Sequence, residues 1–323
     1  MVSEAAFASE ADVHKTRIRV FALAALALVV AAGCSRISPP VTVEPLPEAT
    51  GAPSVVLTGQ PALEGGSAPG RTPSAEPGGS GSTSGSGSSL GSAPSDNTVR
   101  SWYYTPNTQH RPPAVPSAAS ALLARYHGRY LGPDRRLVYL TFDAGYENGQ
   151  TARILDALAR NGVKATFFVT ESYVRANPDL VRRMVREGHV VGNHSATHPS
   201  MPSLARDAAA FTRELSRVED AFAEVTGTRL THVFRPPKGE YSALSLYRTA
   251  ALGYESVFWS FAHRDWVVDD QPPVDVTVKR ILDGSHPGAI YLLHAVSSSD
   301  ADALDEAIAG LRKQGYGFGT LGK

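Results

Sequence analysis

From residue 137 to residue 321, short apolar runs alternate with stretches whose apolar residues recur at helical spacing. This alternation constrains the fold more than any other feature of the 323-residue chain. Strands are expected at residues 137–142, 165–170, 189–193, 232–235, 255–261, 289–293 and 316–321. Helices are expected at 151–161, 179–187, 204–225, 243–252 and 302–314. The strand runs are apolar almost throughout rather than at every second position, as strands of a parallel sheet covered on both faces must be. The run of units is too long for a small open sheet, and no Gly-rich phosphate loop follows the first strand. The expected fold is therefore α/β, a distorted (β/α) barrel of about seven parallel strands.

A barrel of this kind gathers its chemistry at the C-terminal ends of its strands. Ionisable residues stand at those places: Asp143 ends the first strand and His194 follows the third. Arg235 ends the fourth, Asp265 and Trp266 follow the fifth, and His294 ends the sixth. Each has a mundane explanation alone. Asp143 could cap a helix, His294 could be a satisfied core histidine, and Asp265-Trp266 could be a surface ion pair beside a packed indole. Arg235-Pro236-Pro237-Lys238-Gly239 could be no more than a rigid turn, with Gly239 free to adopt positive φ. His194 and His198, four residues apart, are expected on a helical turn where they share one face and can bind one metal ion. Separate accidents do not account for all of them in this order.

Outside this region the chain reads differently. His14, Lys15, Arg17 and Arg19 precede an apolar stretch at 20–32. A stretch of that size is short of the ~20 residues that span a bilayer and has the proportions of a signal peptide. Ala31-Ala32-Gly33-Cys34 resembles a bacterial lipobox, so residues 1–34 are expected to export the chain and to lipidate Cys34 as a membrane anchor; a plain cleaved signal with an incidental cysteine is the alternative. Cys34 is the only cysteine, which excludes an internal disulfide framework and any Cys-based zinc site. Residues 35–97, rich in Pro, Gly and Ser, are expected to be a disordered linker. Residues 98–136, with Trp102-Tyr103-Tyr104, are a lead-in expected to pack on the barrel, and 137–323 form the main domain. Lys+Arg and Asp+Glu balance at 31 each, which gives no field drawing the protein to nucleic acid. A monomer is expected.

The segments Thr141-Phe142-Asp143-Ala144-Gly145, His194-Ser195-Ala196-Thr197-His198, Arg235-Pro236-Pro237-Lys238-Gly239, Asp265-Trp266 and Leu292-Leu293-His294 together resemble the five ordered motifs of the NodB-type polysaccharide deacetylases, carbohydrate esterase family 4. The longer strings, Thr141 to Gly149 and Phe258-Trp259-Ser260 among them, are similar to the delta-lactam-biosynthetic peptidoglycan de-N-acetylases. The resemblance implies a NodB-homology domain that hydrolyses the N-acetyl group of N-acetylmuramic acid in peptidoglycan, acting on the outer face of the cell membrane and facing the wall. It implies Asp143 as general base, oriented by Arg235, and His294 as general acid, with Asp265 raising its pKa. It implies His194 and His198 as ligands of a divalent metal, zinc for choice, and the Lys238 backbone N–H as an oxyanion donor. Trp266 and Leu292 would wall the acetyl methyl and Tyr146 would lie against a sugar face.

Most of the family has a metal-binding Asp directly after the base, where this chain has Ala144. The metal would then bind more weakly through two histidines and water, or Glu147 or Asn193 would replace the carboxylate, or the site would work without metal or not at all. The alternative functions are a deacetylase of chitin, poly-N-acetylglucosamine or acetylxylan, and a catalytically weak glycan-binding module. The side chain of Lys238 suits a substrate bearing a carboxylate, as muramic acid does.

Overall fold

The computed structural model describes residues 90–322; the expected leader with Cys34 and the linker up to residue 89 lie outside the described residues. No described helix is long and apolar enough to cross a membrane. The strands are β1 (Arg100–Ser101), β2 (Gly128–Arg129), β3 (Leu137–Ala144), β4 (Thr166–Val169), β5 (Val190–Asn193), β6 (Val233–Phe234), β7 (Glu240–Tyr241), β8 (Glu255–Val257), β9 (Phe261–Ala262), β10 (Ala289–His294) and β11 (Gly317–Phe318). The α-helices are α1 (Ser117–Arg125), α2 (Thr151–Arg160), α3 (Glu171–Ala176), α4 (Pro178–Arg186), α5 (Met201–Leu204), α6 (Ala208–Thr226), α7 (Ala243–Ala251), α8 (Val274–Asp283) and α9 (Ser298–Lys313).

The main sheet runs in the order β2-β8-β6-β5-β4-β3-β10-β9, and every pairing within it is parallel. β11 pairs with the start of β3, below the stretch that β4 occupies. The expected strand at 255–261 is split in two. Its first part, β8, pairs with β6, and its second part, β9, pairs with β10 at the far end of the sheet. Only Phe258, Trp259 and Ser260 separate them. One bent segment thus runs from β8, one strand in from one edge of the curled sheet, to β9 at the other edge, which brings the two sides together as a distorted barrel.

Alternation along β3 sorts its side chains. Val138, Leu140, Phe142 and Ala144 join the large apolar cluster formed with Ile154, Leu155 and Leu158 of α2 and Leu304, Ile308 and Leu311 of α9. Tyr139 packs instead with Phe168, Val190, Val233, Val257 and Ile290, one from each of five other strands. The odd-numbered positions of β3 therefore face the barrel interior, and Asp143 is one of them. Phe142 and Phe167 stack at 5.2 Å in the outer layer, and each fully buried ring of this size contributes roughly 1.5–3 kcal/mol.

The lead-in is held by its aromatic residues. Trp102 lies 5.2 Å from Tyr130 and 4.8 Å from Phe258, and its indole N–H donates to the Trp259 carbonyl at 2.9 Å. The Tyr104 hydroxyl accepts from the Ala262 N–H at 2.7 Å. Both contacts fall on the segment that closes the barrel. The last positions of the expected linker are also attached: the Leu244 N–H donates to the Asp96 carbonyl at 3.0 Å, and Asn97 donates to the Pro202 carbonyl at 2.8 Å. The helix expected at 204–225 starts only at Ala208, after the separate short α5 ends at Leu204. Asp207 accepts from the Ala209 and Ala210 N–H groups and starts α6 afresh, and Gly227 at φ 70° stops it.

Candidate active site

The ends of β3, β5, β6, β9 and β10 surround a cleft of about 650 Å³. Asp143, Tyr146, His194, His198, Lys238, Trp266, Leu292 and His294 all line it. Arg235 and Asp265, fully buried, do not reach the cleft and stand behind Asp143 and His294. The register of β3 with β10 sets His294 directly beside Asp143, so a carboxylate and an imidazole meet on neighbouring parallel strands.

Asp143 is held by its neighbours. Arg235 Nη1 donates to its Oδ1 at 2.8 Å. Burial alone would raise the Asp143 pKa, but Arg235, His194 and His294 outweigh it and hold the carboxyl below its ordinary range. The guanidinium carbon of Arg235 sits 4.2 Å from the Phe168 ring centre, which supports the planar cation from below. A buried arginine keeps its charge where a lysine would be pressed to lose it.

The segment from His194 to His198 is a loop, not the helical turn expected from its spacing. Ser195 and His198 adopt φ of 66° and 58°, conformations that cost non-glycine residues of order 1–3 kcal/mol. Side chains reached from elsewhere hold them. The Asn193 side-chain oxygen accepts from the Ser195 N–H at 2.8 Å, and the Ser195 hydroxyl accepts from the His198 N–H at 3.0 Å. Glu214, from α6, accepts from the Thr197 N–H at 2.9 Å and from its hydroxyl at 3.0 Å. The two imidazoles still face one another, 4.9 Å apart and nearly perpendicular.

These residues suit a cation. His194 Nδ1–H donates to the Arg235 carbonyl at 2.8 Å, which leaves Nε2 with a lone pair. That lone pair lies 3.4 Å from Asp143 Oδ2. Two acceptors facing each other at this distance call for a cation or a proton between them. Burial pushes the His194 pKa down to about 4 and lowers that of His198, so both rings are in the neutral, ligating form at neutral pH. Ala144 is fully buried in the apolar outer layer and offers nothing. Neither expected substitute for its carboxylate is available. Glu147 accepts from the Thr151 N–H and the Tyr173 hydroxyl, and Asn193 is engaged by Leu215, Tyr254 and Ser195. The site is one of two imidazoles beside a carboxylate.

His294 is gripped by Asp265. One carboxylate oxygen accepts from Nδ1–H and the other from the backbone N–H, both at 2.7 Å. Burial would lower the His294 pKa, but Asp265 and Asp143 overcome it and raise the imidazole above its usual value. The Trp266 indole leans over the ring at 5.5 Å. Lys238 is exposed at the rim with φ 59°. The next residue has to be glycine: Gly239 has φ 65°, and a Cβ there would come within 2.7 Å of the Trp259 ring.

Three contributors went unnoticed in the sequence. Glu214 betrays itself only as an acidic residue in the buried stripe of α6, between Phe211 and Leu215. Asp300 and His263 gather with Asp265 into a set whose donor atoms lie within 4.8 Å of one another, the only set of three among the described residues. Both oxygens of Asp265 accept from His294, and His263 Nε2 lies 3.0 Å from Asp300 Oδ1, so the set stands directly behind His294.

Known proteins similar to this chain point to one family. The polysaccharide deacetylase family model matches residues 131–257. An uncharacterised 30.6 kDa protein of Geobacillus stearothermophilus is 47% identical over 221 residues, covering 68% of this chain and 83% of its own length. The peptidoglycan-N-acetylmuramic acid deacetylase PdaA of Bacillus subtilis is 40% identical over 226 residues, 70% of this chain and 85% of that protein. The solved structure of Bacillus subtilis PdaA, described as a family 4 carbohydrate esterase, matches with a TM-score of 0.68 over 70% of this chain and 96% of that one.

Proposed function

Since the chain belongs to the polysaccharide deacetylase family, we propose that it hydrolyses the N-acetyl group of N-acetylmuramic acid in peptidoglycan. The observation that carries the proposal is the side-by-side placement of Asp143 and His294, each fixed from behind by a buried partner of opposite charge. Amide hydrolysis needs a base for the attacking water, a place for the oxyanion and a proton for the departing amine. Asp143, ionised and oriented by Arg235, takes the proton of the water. His294, kept protonated by Asp265, gives one to the sugar nitrogen. The Lys238 N–H faces the developing oxyanion, Trp266 and Leu292 enclose the acetyl methyl, and Tyr146 lies against the sugar. His194 and His198 would hold a divalent metal, zinc by the character of these ligands, which when bound would supply a Lewis acid for the acetyl carbonyl.

The charged end of Lys238 at the cleft rim supports a substrate with a carboxylate, as does the likeness to PdaA. Export of the domain and its anchoring through Cys34 would place it within reach of the wall. Incubation with purified glycan strands, with and without zinc, followed by mass analysis should reveal loss of one acetyl from muramic acid. Acetyl loss confined to glucosamine would overturn the substrate, and none under any metal condition would overturn the activity. Lys238→Ala should lower kcat/KM on muramyl strands about tenfold, the scale of one charged hydrogen bond, with less effect on neutral chito-oligosaccharides. Equal losses would count against the carboxylate contact.

A further inference from the structure

Behind His294 lies a row of ionisable groups that the proposed chemistry uses only in part. Asp265 grips His294, and Asp300, fully buried in the first turn of α9, lies next to Asp265. His263 closes the row, its Nε2 3.0 Å from Asp300 Oδ1 and 4.0 Å from Asp265 Oδ2. The Asp300 backbone N–H donates to the Ser297 hydroxyl at 3.0 Å, and that hydroxyl donates to Gln271 at 2.7 Å, which ties α9 to the loop carrying Asp265. Asp300 Oδ2 is buried and accepts no hydrogen bond.

Charge counting decides what this row is. Two carboxylates in contact and away from water do not both stay ionised. The groups facing His294 are Asp143 from β3, Asp265 and His263 from the segment after β9, Asp300 from α9 and His198 across the cleft. Arg280 of α8 acts on the row only through space, and its side chain is exposed. His294 itself is thus the one cation in contact with the pair. Adding a proton to Asp300 removes one of the two negative charges. It also turns the orphaned Oδ2 into a donor aimed at Asp265. Burial and the adjacent Asp265 push the Asp300 carboxyl well above the carboxylate range, and Asp265 stays low despite its burial because His294 lies against it. Burial, the largest influence on His263, lowers its pKa, so the neutral ring presents Nε2–H to Asp300.

We infer that Asp300 is a positioning residue that shares a proton with Asp265 and so sets how tightly His294 holds its own. By donating to Asp265 it draws charge away from the oxygens that face His294, and His263 holds it in place. The catalytic consequence rests on His294 being the acid; the titration of His294 does not.

The test is an NMR titration of the His294 ring in the full chain, beside the pH profile of kcat/KM on glycan strands. Asp300→Asn keeps a neutral donor of the same shape, so the His294 midpoint and the alkaline limb of the profile should stay in place. Asp300→Val removes the donor and leaves Asp265 with its full charge, and both should move to higher pH, by on the order of half a unit to one unit. A fall of the midpoint in Asp300→Asn would mean that an ionised carboxylate had been removed, and it would overturn the inference. So would an unchanged midpoint in a folded Asp300→Val. If Asp300→Val does not fold, the Asn variant alone decides by the same criterion. Should no acetate be released by any form, the proposed activity fails while the NMR midpoints still decide the role of Asp300.

Discussion

Arg235 is the largest fully buried side chain of the described residues, and its one carboxylate partner is Asp143. Any change at Asp143 is therefore also a change in the burial of a guanidinium. Asp143→Asn should lower the rate by roughly 10²–10⁴, as loss of a general base does. It should also reduce stability by about 3 kcal/mol, because the buried cation loses its counter-charge. Acetate release and urea unfolding of the same preparation check both; an inactive variant of unchanged stability would mean that the pair contributes little to the fold. Asp143, Arg235, His194 and His294 were legible because each is an ionisable residue standing where an apolar strand stops. Asp300 was not, since an acid in the first turn after Ser-Ser reads as ordinary helix capping. Its burial beside Asp265 depends on a contact between segments distant in sequence.

The loop from His194 to His198 shows how an element far from the chemistry shapes it. Its two left-handed residues persist because Glu214 of α6 and Asn193 of β5 occupy its N–H groups. Glu214→Ala should free Thr197, cost about 1–3 kcal/mol for the groups left unpaired, and loosen the His198 ring. The expected result is weaker zinc binding by calorimetry and a lower kcat/KM, both largely restored in Glu214→Gln. Unchanged zinc affinity in a folded Ala variant would uncouple α6 from the site. Spacing alone suggested a helical turn here, because a pattern of two histidines carries no record of the bonds that hold the backbone between them. The same limit explains α8. Val274-Asp275-Val276-Thr277-Val278 alternates like a strand and is rich in β-branched residues, yet it is helical and buries Thr277, Val278 and Ile281. Strands β3, β4, β5 and β10 were legible at their full length nearly to the residue, because burial on both faces leaves an unbroken apolar run. β1, β2 and β7 are two residues long, too short for any pattern to mark them, whereas β6 lies inside the strand expected at 232–235.

At the scale of the molecule, buried histidines make stability depend on pH. Burial pushes both His189 and His194 down to about 4 from the ordinary 6.5. Between these values the unfolded chain binds protons that the folded chain refuses, so acidification favours unfolding. For the metal-free protein, the urea midpoint should decline as pH rises through the raised pKa of His294 and should fall progressively as pH drops from 6.5 towards 4. A midpoint level across that window would show that the two rings protonate without cost in the folded state. The closure of the barrel by one bent segment, with the lead-in clamped on it, was hidden from the sequence because 255–261 reads as a single strand.

The order of strands in the sheet is also a timetable. β3, β4 and β5 can pair in the order in which they emerge from synthesis, whereas the other edge of β3 waits for β10. A chain grown only as far as residue 288 already holds Asp143, His194, His198 and Arg235, but neither His294 nor the strand that sets it in place. Pairing across so long a stretch of chain is slow to form. Hydrolytic competence thus arrives last, and a chain still being made is harmless to any glycan within its reach.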